Sequence, residues 1–210
     1  MDFYIISPPK ELKNFNSEIF DRITDIISVK YFQFRPKFQD LKKRIKFVEK
    51  YHKDFFNICH KKRIKLIIND DIEIAKQFSF DGIHLGQNDT ECKLTRSIFG
   101  KNFTIGISCS DSFELYLKAK KESANYVAFG PMFSTKSKKK KVIDSEKIKK
   151  NLHKIKLPIT LIGGINHKNI FSLKELSPNC VAIINSLWNF NEGPIQSALL
   201  FKKKLEEIEK

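Results

Sequence analysis

Along this chain, short apolar runs alternate with stretches whose apolar residues recur every three or four positions. The runs are FYIIS at 3–7, YFQFR at 31–35, KLIIN at 65–69, GIHLG at 82–86, FTIGIS at 103–108, YVAFG at 126–130, PITLIGG at 158–164 and VAIIN at 181–185. They are rich in Ile, Val, Phe and Tyr, which suit a pleated, half-buried surface, and predict eight strands. The intervening stretches predict amphipathic helices. Examples are Leu41, Ile45 and Val48 with Phe55 beyond, Phe113 with Leu117, and Ile195, Leu199, Leu200 and Leu205 within 194–208. Ser110 or Asp111 is positioned to cap one helix and Asn166 another. Eight strands alternating with eight helices in this length is the pattern of an α/β fold, a single (β/α)8 TIM barrel spanning 1–210. A doubly wound open sheet is the alternative. No GxGxxG follows the first strand, which argues against a dinucleotide-binding version of it.

The chain has 210 residues, 41% apolar and 30% charged, ample for one sizeable core. No run approaches the roughly 18 uncharged apolar residues of a membrane span. The N-terminus MDFYIISPPK lacks the basic, apolar and small-residue regions of a secretory signal and reads as a first strand. A cytoplasmic protein without a membrane partner is expected. Cys59, Cys92, Cys109 and Cys180 form no CxxC pair and suit no zinc site, so free thiols in a reducing compartment are the simple reading. Cys109, just past a strand, could alternatively be a nucleophile. The net charge of +15 invites a nucleic-acid partner. Yet only 5 of the 39 basic residues are arginine, the side chain favoured for bidentate phosphate and base contacts, and the lysines are spread along the whole chain. Nucleic acid is therefore not expected; small anionic substrates would profit from the same field.

In a TIM barrel the chemistry sits at the C-terminal strand ends and the loops that follow. The second strand ends in Gln33, Arg35 and Lys37 on one face, with Phe34 on the other. Two cations where a core strand would bury apolar groups call for anions, unless this is a solvated edge strand. The third strand ends Asn69-Asp70-Asp71, and the fourth runs into Gly86-Gln87-Asn88-Asp89. Asp71 reads as a helix cap, whereas Asp70 and Asp89 are either caps or joint ligands of a hard cation such as Mg²⁺. The loop after the sixth strand carries Thr135, Lys136, Ser137 and Lys138, two hydroxyls beside lysines that resemble a diphosphate clamp. The run from Lys138 to Lys141 alone would be solvated charge. Gly163-Gly164 and Ile184-Asn185-Ser186 end the seventh and eighth strands, where barrel enzymes commonly seat a phosphate on backbone N–H groups.

Taken together, QFRPK at 33–37, INDD at 68–71, DGIHLGQND at 81–89, IGIS at 105–108, ANYVAFGPMFSTKSK at 124–138, PITLIGGI at 158–165 and VAIINS at 181–186 resemble the thiamine phosphate synthase family. They follow the family order over nearly the whole chain. The resemblance implies a (β/α)8 barrel that joins 4-amino-5-hydroxymethyl-2-methylpyrimidine diphosphate to 4-methyl-5-(2-hydroxyethyl)thiazole phosphate and releases diphosphate. It implies that Gln33, Arg35 and Lys37, flanked by Phe34 and Pro36, bind the pyrimidine diphosphate, helped by Asn69 and Lys138. Asp70 and Asp89 would hold Mg²⁺, and Ser108 would contact the pyrimidine or the leaving group. Thr135 and Ser137, with backbone at Gly164, Ile184 and Asn185, would hold the thiazole phosphate, and Lys136 between them would also bind substrate. Arg35, Lys37, Ser108 and Lys138 would carry the catalytic charge and contacts. The chain departs from the family pattern at Cys109 and Ser110, where the family often shows a small residue and then histidine, and at Asn185, where serine is usual. A thiazole tautomerase of the same fold is the runner-up; it lacks here the histidine that family uses after strand five.

Overall fold

The computed structural model describes residues 1–135 and 141–209. Eight parallel strands close into a barrel in chain order, β1 (Asp2–Ile6), β2 (Val29–Phe34), β3 (Lys65–Asn69), β4 (Gly82–Leu85), β5 (Thr104–Ser110), β6 (Tyr126–Phe129), β7 (Ile159–Ile162) and β8 (Cys180–Ile183). Each predicted strand is present within a few residues of its predicted bounds. Closure is made by β1 against β8, with Phe3 opposite Val181 and Ile5 opposite Ile183. The closed sheet excludes the open doubly wound alternative.

The pleat sorts side chains with period two. Phe3, Ile5, Phe32, Phe34, Leu66, Ile68, Ile83 and Leu85 join the buried cluster under the helices. Tyr4, Ile6, Tyr31, Ile67, Tyr126 and Ala182 form a second cluster inside the barrel. The outer core is strongly aromatic at α1 (Ser17–Ile26) and α2 (Leu41–Lys61), where the Phe15 and Phe20 rings each meet those of Phe32 and Phe55. Trp188 belongs to the same corner; its indole Nε1 donates to the Ile6 carbonyl at 2.8 Å and its edge meets the Phe15 ring.

The remaining helices are α3 (Ile72–Gln77), α4 (Cys92–Phe99), α5 (Phe113–Lys121), α6 (Ser145–Asn151), α7 (Asn185–Trp188) and α8 (Pro194–Glu209). Several faces differ from the sequence expectation. Leu41 is 39% exposed, Leu117 49% and Leu199 45%, so these three leucines lie outside the apolar stripes assigned to them. On α5 the buried positions are Tyr116 and Ala119; on α8, Ala198 and Phe201 are fully buried. Ser112, not Ser110 or Asp111, caps α5 by accepting from Leu115 N at 3.1 Å. Asn166 accepts from Lys168 N at 2.8 Å and starts the β7–β8 connection, which is a 3-10 helix, Ile170–Leu176, and not an α-helix. Its buried residues Ile170, Leu173 and Leu176 are three apart, the spacing that lines one face of a three-residue turn. No helix among the described residues is long and apolar enough to cross a membrane.

Candidate active site

A cavity of about 550 Å³ opens at the C-terminal ends of the strands. Gln33, Arg35, Asn69, Ser108, Thr135, Gly164, Ile184 and Asn185, all expected at a site, line it. Its strand-end lining mixes polar residues such as Gln33, Asn69 and Ser108 with Ile6, Ile162 and Ile184. Lys136, Ser137 and Lys138 lie outside the described residues.

The end of β2 is held against the segment after β1. Ser7 N donates to the Gln33 carbonyl at 2.8 Å, Arg35 N donates to Ser7 Oγ at 2.8 Å, and Lys37 N donates to the Pro9 carbonyl at 2.9 Å. Gln33 and Arg35 thus face the cavity, while Lys37 lies outside its lining and is exposed. Arg35 is only 9% exposed, and among the described residues its guanidinium has no hydrogen-bond or ion-pair partner. Burial lowers its pKa from the usual value, with the charge of Asp70 working the other way. A desolvated guanidinium facing a cavity is a site for an anion. Phe34 is corrected as a ligand contact: its ring is fully buried on the helix side, against Phe32, Phe47, Phe55 and Phe80. Pro36 is buried too and does not line the cavity.

Lys37 Nζ forms an ion pair with Asp70 Oδ2 at 2.8 Å. Asp70 stands in the left-handed region at φ 62°, immediately after β3. Its carboxyl lies beside that of Asp89, from the loop after β4. Burial works to raise Asp70, but the bond from Lys37 and the contact with Asp89 outweigh it and hold its pKa below the usual carboxylate range. Asp89 is pushed the opposite way, by burial and then by its contact with Asp70, although Gly86 N–H donates to its Oδ2 at 2.7 Å. Two carboxyls that cannot comfortably ionise together are set up either to share a proton or to share a cation. The helix-cap reading holds for Asp71, which accepts from Ile74 N at 3.2 Å and pairs with Arg44 Nε at 2.8 Å. It fails for Asp89, whose oxygen faces back to Gly86, while α4 starts after Glu91 with no side-chain cap. No group of three or more His, Cys, Asp or Glu suited to a metal occurs among the described residues, so any metal here rests on this pair plus oxygens from elsewhere.

Across the cavity, Ser108 and Ser110 flank a register shift in β5, and Ser110 takes φ 51°. Such a bulge re-aims neighbouring side chains without ending the strand. Cys109 points outward, fully buried, and burial pushes its thiol up to about 12. That removes it as a nucleophile, which needs an accessible thiolate. All four cysteines are free and buried. Gly164 sits at φ 68°, where a Cβ would lie 2.6 Å from the Ser134 carbonyl, so glycine lets the β6 and β7 loops meet at the cavity wall.

The sequence reading missed His84, Tyr4 and Tyr126. All three face inward; His84 bridges Tyr126 Oη (3.0 Å, from Nδ1) and Ser108 Oγ (2.9 Å, from Nε2). A histidine in the apolar run GIHLG, two residues before the loop that carries Asp89, was the available signal.

Comparison with known proteins identifies the family. The thiamine monophosphate synthase family pattern matches residues 3–187. The chain is 37% identical over 190 residues to the thiamine-phosphate synthase of Pelagibacter ubique, covering 89% of this chain and 88% of that one. It is 35% identical over 205 residues to that of Prochlorococcus marinus subsp. pastoris; there the match covers 97% of this chain but 56% of the relative, so it spans little more than half of that longer protein. Among solved structures, the thiamine phosphate pyrophosphorylase of Pyrococcus furiosus superposes with TM-score 0.79 at 23% identity, covering 99% of this chain and 96% of that one, a likeness of fold. The chain belongs to the thiamine monophosphate synthase family and is a transferase of thiamine biosynthesis.

Proposed function

We propose that this enzyme condenses 4-amino-5-hydroxymethyl-2-methylpyrimidine diphosphate with 4-methyl-5-(2-hydroxyethyl)thiazole phosphate to give thiamine phosphate and diphosphate. The observation that carries this reading is the cluster of Lys37, Asp70 and Asp89 beside Arg35, which itself lines the cavity together with Gly164, Ile184 and Asn185. One wall suits a diphosphate and its cation, the other a phosphate monoester.

The donor set fits Mg²⁺. Two adjoining carboxyl groups are the usual protein share of a magnesium site, the other positions being filled by water and substrate phosphate oxygens. Asp70 and Asp89 would hold the ion, which when bound supplies Lewis-acid charge to the departing diphosphate. The side chains do the rest. Arg35 and Lys37 face the leaving group, with Lys138 expected to join them. As the carbon–oxygen bond to diphosphate breaks first, negative charge grows on the departing oxygens, where fixed cations stabilise it. The pyrimidine carbocation left behind lies over Gln33, Asn69 and Ser108 until the thiazole nitrogen bonds to it. Thr135, with backbone at Gly164, Ile184 and Asn185, holds the thiazole phosphate, and Lys136 and Ser137 are expected to join it.

The test is direct. Purified protein is mixed with both substrates over a Mg²⁺ titration, and thiamine phosphate is assayed. Metal-dependent product supports the reading; absence of product at every metal concentration overturns it.

A further inference from the structure

A continuous row of hydrogen-bonded side chains crosses the cavity floor, contributed by β1, β2, β4, β5 and β6. Gln33 Nε2 donates to Tyr4 Oη at 2.6 Å, and Tyr4 Oη and Tyr126 Oη are 2.8 Å apart. Tyr126 Oη is 3.0 Å from His84 Nδ1, and His84 Nε2 is 2.9 Å from Ser108 Oγ. The row depends on a gap in the wall: at Gly106 a Cβ would lie 1.9 Å from Cζ of the Tyr126 ring. Burial raises the pKa of both phenols, so each keeps its one hydrogen.

Counting hydrogens gives the row a direction. An amide nitrogen only donates. Tyr4 Oη therefore accepts from Gln33, and its own hydrogen has one remaining neighbour among the described residues, Tyr126 Oη. The Tyr126 hydrogen passes in turn to His84 Nδ1. That nitrogen must then be the bare one of a neutral imidazole, with the ring hydrogen on Nε2 aimed at Ser108 Oγ. Ser108, having accepted, has its own hydrogen left for the cavity.

We propose that this row fixes His84 as the Nε2–H tautomer and thereby presents Ser108 Oγ–H as a donor to an acceptor atom of the pyrimidine diphosphate. Tyr4, Tyr126 and His84 are positioning residues that act through Ser108. The inference rests on the synthase reading for its ligand, while its tautomer is a property of the protein alone.

Two measurements test it. In ¹⁵N-histidine-labelled protein, with the His84 signals assigned through His84→Asn, Nδ1 is expected bare and Nε2 protonated, and Tyr126→Phe is expected to weaken that preference. A wild-type His84 protonated on Nδ1 overturns the proposal. In steady-state kinetics, Tyr126→Phe and Ser108→Ala should each lower kcat/KM on the order of tenfold, the effect of one lost hydrogen bond. In the Ser108→Ala background, Tyr126→Phe should add less than about twofold, since coupled residues are not additive. Full additivity means the phenol acts only on packing, and rejects the proposal. A wild-type protein that makes no thiamine phosphate counts against the synthase reading and leaves the row to be judged by its ¹⁵N spectrum.

Discussion

Asp70 and Asp89 show how one contact makes two like residues unequal. The first is held low by Lys37, the second is pushed up by burial and then by the first, and a shared cation would relieve both. Asp70→Asn or Asp89→Asn is accordingly expected to lower kcat/KM by roughly 10²-fold or more, several kcal/mol of transition-state stabilisation. Thiamine phosphate formation across a Mg²⁺ titration checks this, and wild-type rates at low Mg²⁺ would contradict it. Phe34, one residue from Arg35, belongs to a different class. Phe34→Ala should cost about 3–5 kcal/mol of stability, read from urea denaturation, because it empties a ring-sized space in a packed core. The polarity of positions 33, 35 and 37 was legible in the sequence because strand side chains alternate. The roles of Tyr4, His84 and Tyr126 were not, because an inward aromatic cannot be told from a core aromatic until the barrel's layers are known.

At the scale of elements, the strands were more legible than the helix faces. An apolar run bounded by turns needs only its length to be recognised, as at KLIIN, where observed and expected bounds coincide. A helix face also depends on rotation about its axis. In α8 the stripe through Leu199 and the stripe through Ala198 and Phe201 compete, and packing on β1 chooses the second, with the Phe201 ring 5.2 Å from that of Phe3. Phe201→Ala should therefore destabilise by about 3–5 kcal/mol, whereas Leu199→Ala should stay within about 0.5 kcal/mol; thermal denaturation separates them. The 3-10 connection before β8 was illegible because its triplet spacing also fits part of an α-helix. His52 on α2 gives a pH effect. Burial lowers its pKa below 6.5, only partly opposed by its bond to the Ser79 carbonyl, so the folded state favours the neutral ring. Its contribution is present above about pH 6.5 and is lost as pH falls through the lowered value. The melting temperature of His52→Phe should decline less steeply than wild type below pH 6.5; parallel declines would refute this.

For the whole molecule, closure of the barrel converts seven scattered sequence segments into one rim. The net charge of +15 gives the molecule as a whole a field that attracts anions. Raising ionic strength with an inert salt should lower kcat/KM for the proposed anionic substrates while leaving kcat nearly unchanged, since screening acts on encounter more than on the bound state. A kcat that falls in parallel would place the salt effect in the chemistry instead.

The tie between Trp188 and the Ile6 carbonyl has a practical side. The chain has a single tryptophan, and it is anchored two residues beyond Ser186 on the cavity wall. The protein therefore carries its own fluorophore beside the Ile184–Ser186 wall, the side proposed for the thiazole phosphate. Emission that responds to the thiazole phosphate and stays silent to inorganic diphosphate would let the order of substrate arrival be followed in real time, without a label.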